Sequence, residues 1–228
     1  AGAYLYRTLP SDALQGDFGA KLVYETGVRK LAVLYSNDDY GVGFNTVLKE
    51  KFPALGGEVV MSEAVERGVV DLRTPLTKIK EKNPDAIYII TNSPDSAVAA
   101  LKQIKELGIT AKVIGSEGLK ADYIIENAKE AAEGMIVTSV SSGTTDFVAR
   151  YKAAGNELGP FAAQGYDAFK AVALAVQEGA ASGEQIKAQL DKVTFEGASG
   201  AIGFDENGDV FGNYEVYQVK DGAFVVSN

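Results

Sequence analysis

Histidine and cysteine are both absent from the 228 residues of this chain. The missing cysteine removes disulfides, thiol nucleophiles and thiolate metal sites. The missing histidine removes the commonest general base and metal ligand of proteins. These absences argue against most hydrolytic and metal-dependent mechanisms, whereas they leave the cellular compartment open. We therefore expect no catalytic residues, no metal and no cofactor.

Positive charge is also scarce, because 22 Lys and Arg stand against 31 Asp and Glu, giving a net charge of -9. Such a chain repels phosphate backbones and anionic membrane surfaces, so nucleic acid is not an expected partner. No apolar run approaches the roughly 20 residues that span a bilayer. The first residues also lack the charged start and apolar core of a signal peptide. If the protein is exported, we expect its signal segment to lie outside this chain.

Enough apolar sequence is present for a packed core, since 46% of the residues are hydrophobic. Residues 31–35 form a short apolar run that predicts a strand buried on both faces. A polar turn at residues 36–39 leads into a helix predicted at about residues 43–55. This strand, loop and helix are half of a βαβ unit, and ligands of parallel sheets bind at the carboxyl ends of the strands. Asp39 and Tyr40 therefore stand where a site is expected.

The same alternation of strand and helix continues along the chain. Asn92 and Ser93 precede Pro94 in the form of a helix cap with proline at the first helical position. The pattern predicts an α/β fold with a doubly wound, parallel, five-stranded sheet, in a lobe at about residues 8–138. The four further strands of that sheet are predicted at residues 58–61, 86–90, 112–114 and 135–138.

A second lobe is predicted from residues 1–7 and 139–228. Its most apolar element is a helix at residues 161–177, which is apolar nearly all round and belongs inside a core. The other predicted elements are two helices and short antiparallel hairpins near the end of the chain, which are too few to bury that helix. The second α/β lobe is therefore predicted to be incomplete, with the helix covered by self-association or by a separate complementing segment.

One apparent metal motif is better interpreted as a turn. Asp205, Asn207 and Asp209 have the spacing of the first three ligand residues of a calcium-binding loop. Val210 and Val216, however, stand where glycine and a bidentate glutamate belong. The sequence thus predicts a hairpin turn here.

Six segments, in this order, make the chain resemble the periplasmic branched-chain amino-acid binding proteins, the type I substrate-binding proteins of ABC transporters. The similarity covers nearly the whole chain, except that family members begin with about half of an N-terminal lobe that has no counterpart here. The segments are YRTLPSD at 6–12, NDDYG at 37–41, GSEG at 115–118, AEGM at 132–135, GYDA at 165–168 and GFDENGD at 203–209.

The resemblance implies roles for residues at the predicted strand ends. Tyr40 matches the tyrosine that packs on the ligand, and Glu117 matches the glutamate that binds its ammonium group. Asn92 and Ser93 lie at the end of the third strand, where branched-chain binders often carry aromatic residues. Each has a simpler alternative role, as a turn residue for Tyr40 and Asp39, a solvated loop acid for Glu117, and a helix cap for Asn92 and Ser93.

Residues 3–9 and 138–142 flank the five-stranded lobe and are predicted to run side by side as hinge strands. Closure of two lobes is absorbed by a few residues at element ends, and we expect Arg7, Thr8, Ser139 and Ser141 to be among them.

The resulting hypothesis is a periplasmic or extracellular solute-binding protein that closes two lobes around an amino acid or similar zwitterion. Its partners would be the membrane subunits of an ABC transporter. A ligand-sensing receptor ectodomain of the same fold is an alternative, and an enzyme on a flavodoxin-like scaffold is a weaker one. The strand ends offer an enzyme no spaced pair of groups for acid–base work.

Overall fold

The computed structural model describes residues 3–159, 161–210 and 214–227. By their contacts these residues divide into a larger unit, within Asp12–Ser139 and Glu215–Asn228, and a smaller unit, within Ala1–Ser11 and Val140–Tyr214. The chain therefore passes between the units three times. The first connection, at residues 11–12, comes just after the predicted segment 3–9, and the second, at residues 139–140, lies within the predicted segment 138–142. The third, at residues 214–215, was not predicted.

The elements follow each other largely as the sequence predicts. The helices are α1 (Asp12–Glu25), α2 (Asp39–Ala54), α3 (Arg73–Glu81), α4 (Pro94–Glu106), α5 (Asp122–Ala128), α6 (Thr145–Ala153), α7 (Ala162–Gln177) and α8 (Gly183–Leu190). The strands are β1 (Lys30–Ser36), β2 (Glu58–Val65), β3 (Ala86–Ile90), β4 (Lys112–Gly115), β5 (Ile136–Val140), β6 (Thr194–Glu196), β7 (Ala201–Gly203), β8 (Tyr214–Lys220) and β9 (Ala223–Val226).

The larger unit is built on a seven-stranded sheet of order β2-β1-β3-β4-β5-β8-β9. The five strands predicted from the alternation are parallel to one another, while β8 and β9 form an antiparallel pair at the edge. The prediction that placed these last two strands in the second lobe is wrong. Val219 of β8 exchanges backbone hydrogen bonds with Gly134 and Met135 at 3.0 and 2.9 Å, and its side chain is fully buried.

Side chains of the central strands alternate between two apolar layers, as expected for a sheet covered on both faces. One face packs on α1 and α2, whose Phe44, Leu48 and Phe52 are fully buried. The other face packs on α3, α4 and α5, with Leu76 and Ile79 fully buried. The interior of the larger unit is thus sealed above and below the sheet.

The smaller unit contains α6, α7, α8 and a two-stranded antiparallel sheet formed by β6 and β7. Its buried cluster is small, consisting of Phe147, Ala163 and Ala198. The carboxylate of Asp167, on α7, is completely buried and fixes the turn after β6. It accepts hydrogen bonds from the backbone N–H of Ala198 at 2.6 Å and from the N–H and hydroxyl of Ser199 at 2.8 and 2.6 Å.

Helix α7 carries its large apolar side chains on the exposed face. Phe169 is 75% exposed, and the other large apolar residues on this face are Tyr166, Val172 and Val176, each more than 40% exposed. The buried face instead holds alanines with Gln164 and Asp167. The prediction that local elements do not cover this helix is confirmed within the described residues.

No described helix combines the length and the apolar character that crossing a bilayer requires.

The turn predicted at residues 206–208 is confirmed, because Phe204 and Val210 form an antiparallel bridge across it. Asp205 organises this turn by accepting backbone hydrogen bonds from Asn207 and Asp209 at 2.8 and 2.9 Å. These bonds, of which that from Asp209 has the largest effect, lower the pKa of the Asp205 carboxyl.

Two glycines of α2 predict opposite changes in stability. A Cβ at Gly41 would lie 2.0 Å from the backbone oxygen of Ser36, whereas a Cβ at Gly43 would have open space around it. Gly41→Ala should lower the free energy of unfolding by roughly 2–4 kcal/mol, because backbone must move. Gly43→Ala should raise it by about 0.5–1 kcal/mol, since alanine is the better helix former.

Urea unfolding of the two variants and the parent chain measures both changes. Equal effects of the two substitutions would contradict the close approach of α2 to the end of β1.

Candidate functional site

The strand order places a topological switch point between β1 and β3. The chain proceeds from β1 to β2 on one side of this point, and from β3 to β4 and β5 on the other. Ligands of open parallel sheets bind at such a point, beyond the carboxyl ends of the strands. The candidate site is therefore formed by the loops that follow Ser36, Ile90 and Gly115.

The loop after β1 is tight and ends in a capped helix. Asp38 accepts a hydrogen bond from the Gly41 N–H at 2.9 Å and caps α2, which therefore begins at Asp39 and not near Gly43 as predicted. Asp39 is exposed, whereas Tyr40 is half-buried in the first turn of the helix. The local cap thus determines how Tyr40 is held beside the end of the strand.

The loop after β3 combines a structural cap with an exposed amide. The hydroxyl of Ser93 accepts a hydrogen bond from the Ser96 N–H at 3.4 Å, so Ser93 is the cap of α4 that its position before Pro94 predicted. Asn92 is exposed. Thr91 is buried and accepts a hydrogen bond from the Ser93 N–H through its hydroxyl at 3.1 Å.

The loop after β4 is a single 3₁₀ turn over Glu117–Leu119. It is pressed against the loop after β3, because a Cβ at Gly118 would lie 2.1 Å from the Thr91 oxygen and 2.9 Å from the Asn92 side-chain oxygen. Leu119 is fully buried in the core beneath the turn. Glu117 and Asn92 are consequently brought close together on neighbouring loops.

Among the carboxyl groups at the carboxyl ends of these strands, Glu117 has the largest shift in pKa. Within the described residues its carboxylate accepts no hydrogen bond and forms no ion pair. Burial, with a smaller contribution from the charge of Asp12, raises its pKa from 4.5 to about 7. Asp12 is the first residue of α1. The periodicity of α1 gave no signal that this end of the helix lies beside the end of β4.

Tyr40 lies beside the same carboxylate. Its hydroxyl and that of Ser116 are shielded from solvent, and neither has a hydrogen-bond partner of normal geometry in the described part of the chain. Burial raises the pKa of Tyr40 well above its usual range, the charge of Glu117 raises it further, and the Ser116 hydroxyl opposes this rise. The site therefore places the Glu117 carboxylate, which accepts no hydrogen bond from the described residues, beside the buried hydroxyl of Tyr40.

Comparisons with known proteins identify the family and the fold of this chain. Residues 1–223 match the family described as periplasmic binding protein. A Leu-, Ile-, Val-, Thr- and Ala-binding protein of Pseudomonas aeruginosa is 29% identical over 214 residues, which are 90% of this chain and 57% of the relative. Among solved structures, a leucine-binding protein of Thermotoga maritima has a TM-score of 0.86 and 30% identity, covering 98% of this chain and 67% of its own.

A branched-chain amino-acid binding protein of Streptococcus pneumoniae, solved with isoleucine, has a TM-score of 0.79 and 27% identity, over 95% of this chain and 66% of its own. The chain belongs to the periplasmic binding protein family. This membership confirms the resemblance indicated by the six segments and the α/β fold predicted from the alternation. The chain spans 57% and 61% of the length of two curated members of the periplasmic binding protein family that it matches.

The residues predicted as a hinge lie at or near two of the connections between units. Thr8 donates a hydrogen bond to the Gln164 oxygen at 3.0 Å, and the Gln164 amide donates to the Ser141 oxygen at 2.9 Å. Arg7 forms an ion pair with Asp209 at 2.5 Å. Gln164 thus ties the first connection to the second on the side of the smaller unit.

The remaining hinge residue, Ser139, is the last residue of the larger unit before the second connection, and it is buried. The hinge role of all four predicted residues stays a prediction in this member of the periplasmic binding protein family.

The raised pKa of Glu117 predicts a pH-dependent stability. Its folded pKa of about 7 lies above the ordinary value of 4.5, so folding favours the protonated form. The stabilisation is full below pH about 4.5 and is lost as the pH rises through about 7. Glu117→Gln should therefore raise the free energy of unfolding by on the order of 3 kcal/mol at pH 8, and much less at pH 4.5.

Urea unfolding of both proteins at the two pH values measures this difference, with Glu126→Gln, at an exposed position, as the control. A gain at pH 8 that persists unchanged at pH 4.5 would show that the carboxyl is not the cause.

Proposed function

We propose that this chain is the larger part of an extracytoplasmic solute-binding protein that takes an amino acid or similar small zwitterion for an ABC transporter. The observation that carries the proposal is the Glu117 carboxylate, half-buried in the loop after β4 and without a donor from the described residues. The ammonium group of an amino acid would supply both the missing donors and the counter-charge.

The names of the relatives support this ligand class. The Pseudomonas protein is named for five amino acids, and the Streptococcus structure holds isoleucine. Both belong to the same family as this chain, and their sequence identities of 29% and 27% extend over most of it. We therefore infer binding and delivery of solute, with the transporter's membrane subunits as partners and a periplasmic or extracellular location.

In this proposal Glu117 binds the ammonium group and Tyr40 packs against the ligand, with its buried hydroxyl as a further polar contact. Asn92 lines the same edge, and a polar amide there favours a small or polar ligand side chain over a large aliphatic one. Ser93 contributes mainly through the cap that holds α4, and Asp39 through its negative charge.

Closure around the ligand is proposed to occur at the connections that contain Thr8 and Ser141. Because Gln164 bonds to both, these two segments would move as one body within the smaller unit. Arg7 would belong to that body, whereas Ser139 would be the last residue of the larger unit before the second connection.

Removal of the Glu117 charge should weaken amino-acid binding. In a version of the protein with both lobes complete, Glu117→Gln should cost more than about 1 kcal/mol, at least fivefold in Kd, because a charge-assisted hydrogen bond is lost in a closed cleft. Calorimetry with leucine, isoleucine and smaller amino acids measures this, with Glu126→Gln as the control. An unchanged Kd in the Glu117 variant would remove this residue from the site.

The exposed face of α7 suggests that the functional protein includes polypeptide beyond this chain. On this face lie Tyr166, Phe169, Val172 and Val176. The charged residues between positions 165 and 177 are Asp167, which is buried, and Lys170, which is half-buried and donates to the backbone oxygen of Glu196 at 2.8 Å. A contiguous apolar surface of this kind marks an interface. We propose that a complementing segment covers it in the complete protein, and that copies of the 228-residue chain associate through it when alone.

A single charge on α7 tests this surface. Phe169→Lys should convert an associating chain into a monomer, because a lysine at the centre of the face must be desolvated on association. Val70→Lys, at another exposed apolar position, should leave association unchanged.

Light scattering over a range of protein concentrations distinguishes the two variants. We also expect the 228-residue chain alone to bind amino acids poorly, since only one wall of the cleft is formed. A well-folded monomer with micromolar affinity would contradict both statements.

A further inference from the structure

The turn that carries Glu117 is capped by Lys120, whose ammonium group lies over an aromatic ring. The backbone N–H of Lys120 donates to the Glu117 oxygen at 2.9 Å and closes the 3₁₀ turn. Its ammonium nitrogen then lies 3.6 Å from the centre of the Tyr217 ring. A cation at this distance from an aromatic face is attracted by the ring quadrupole, more strongly when it is partly desolvated, as the half-buried Lys120 is.

The Tyr217 side chain is itself held in place by burial and by contacts with other side chains. It is 6% exposed and lies on β8, next to β5 in the sheet. Its hydroxyl donates a hydrogen bond to the Glu215 carboxylate, and its ring meets Phe224 edge-on at 6.4 Å. Strand β8 is also the point at which the third connection enters the larger unit, at Glu215.

Burial and two acids act in opposite directions on the charged form of Lys120. Burial lowers the pKa of Lys120, while the charges of Glu215 and Asp122 act in the opposite direction. The same effects do not include Glu117, so Lys120 is not a direct ionic partner of the proposed ligand-binding carboxylate.

The earlier residues of the turn are held by other contacts. Gly118 lies against the Thr91 oxygen, and Leu119 is buried in the core. The contact between Lys120 and Tyr217 joins the end of the turn to β8.

We infer that Lys120 is a positioning residue for Glu117. The contact of its ammonium group with the Tyr217 ring fixes the loop after β4 to strand β8 and keeps the Glu117 carboxylate shielded from water. Tyr217 serves as the matching support. The role in ligand binding rests on the proposed function, whereas the fixing of the loop can be measured in the free protein.

Lys120→Met keeps the aliphatic stem and removes the cation, and Lys120→Arg keeps a cation that stacks on tyrosine. In the free protein, Lys120→Met should speed amide hydrogen exchange at residues 117–120 by about tenfold, because this contact limits local opening. It should also lower the pKa of Glu117, measured by NMR of its carboxyl carbon, as the loosened loop lets water reach the group.

Lys120→Arg should restore both values, and Tyr217→Phe, which keeps the ring, should stay close to the parent protein. Lys49→Met, at an exposed lysine of α2, is the matched control and should change neither measurement.

A rise in the pKa of Glu117 in Lys120→Met would overturn the inference, because it would mean that the lysine acts directly through its charge. Unchanged exchange and pKa would overturn it as well, and so would Lys120→Arg behaving like Lys120→Met. A protein that binds no amino acid would refute the proposed function while leaving these ligand-free measurements interpretable.

Discussion

The burial of the central parallel strands on both faces is the constraint on which the larger unit depends. Once helices seal the sheet above and below, polar chemistry can occur only at the strand ends. At the carboxyl ends, the order of the strands leaves a crevice between β1 and β3. Residues that bind a ligand must therefore lie in or just after the loops that follow the strands, as the candidates Tyr40, Asn92 and Glu117 do.

Close backbone contacts help to hold these loops. Gly41 lies against the Ser36 oxygen, and Gly118 lies against the Thr91 oxygen, so a methyl group at either position would displace backbone. The close packing excludes water from Glu117, which raises its pKa to about 7. An unpartnered acid of this kind destabilises the free protein at neutral pH, and a cationic ligand group would relieve that cost. The destabilising carboxylate thus lies at the candidate site, where a bound cationic group would offset its effect.

The smaller unit shows the opposite balance. Its two strands pair over three residues each, which is too little sheet to form a second layer over α7. Buried Asp167 gives that helix a specific attachment to the β6–β7 turn, while Phe169 and its apolar neighbours stay exposed. A helix with small and polar residues inside and large apolar residues outside is stable in a complete domain only if something covers it.

The sequence alone determined the order of strands and helices in the larger unit, because burial on two faces leaves a local apolar period that is independent of tertiary contacts. It also pointed to Tyr40 and Glu117, through motifs that sit at strand ends. Only the tertiary structure assigned β8 and β9 to the main sheet, since their alternation is compatible with any edge. It alone brought Asp12 beside Glu117 and Tyr217 beneath Lys120. Those pairs are about 100 residues apart in sequence, and a long-range contact leaves no periodic mark on either partner.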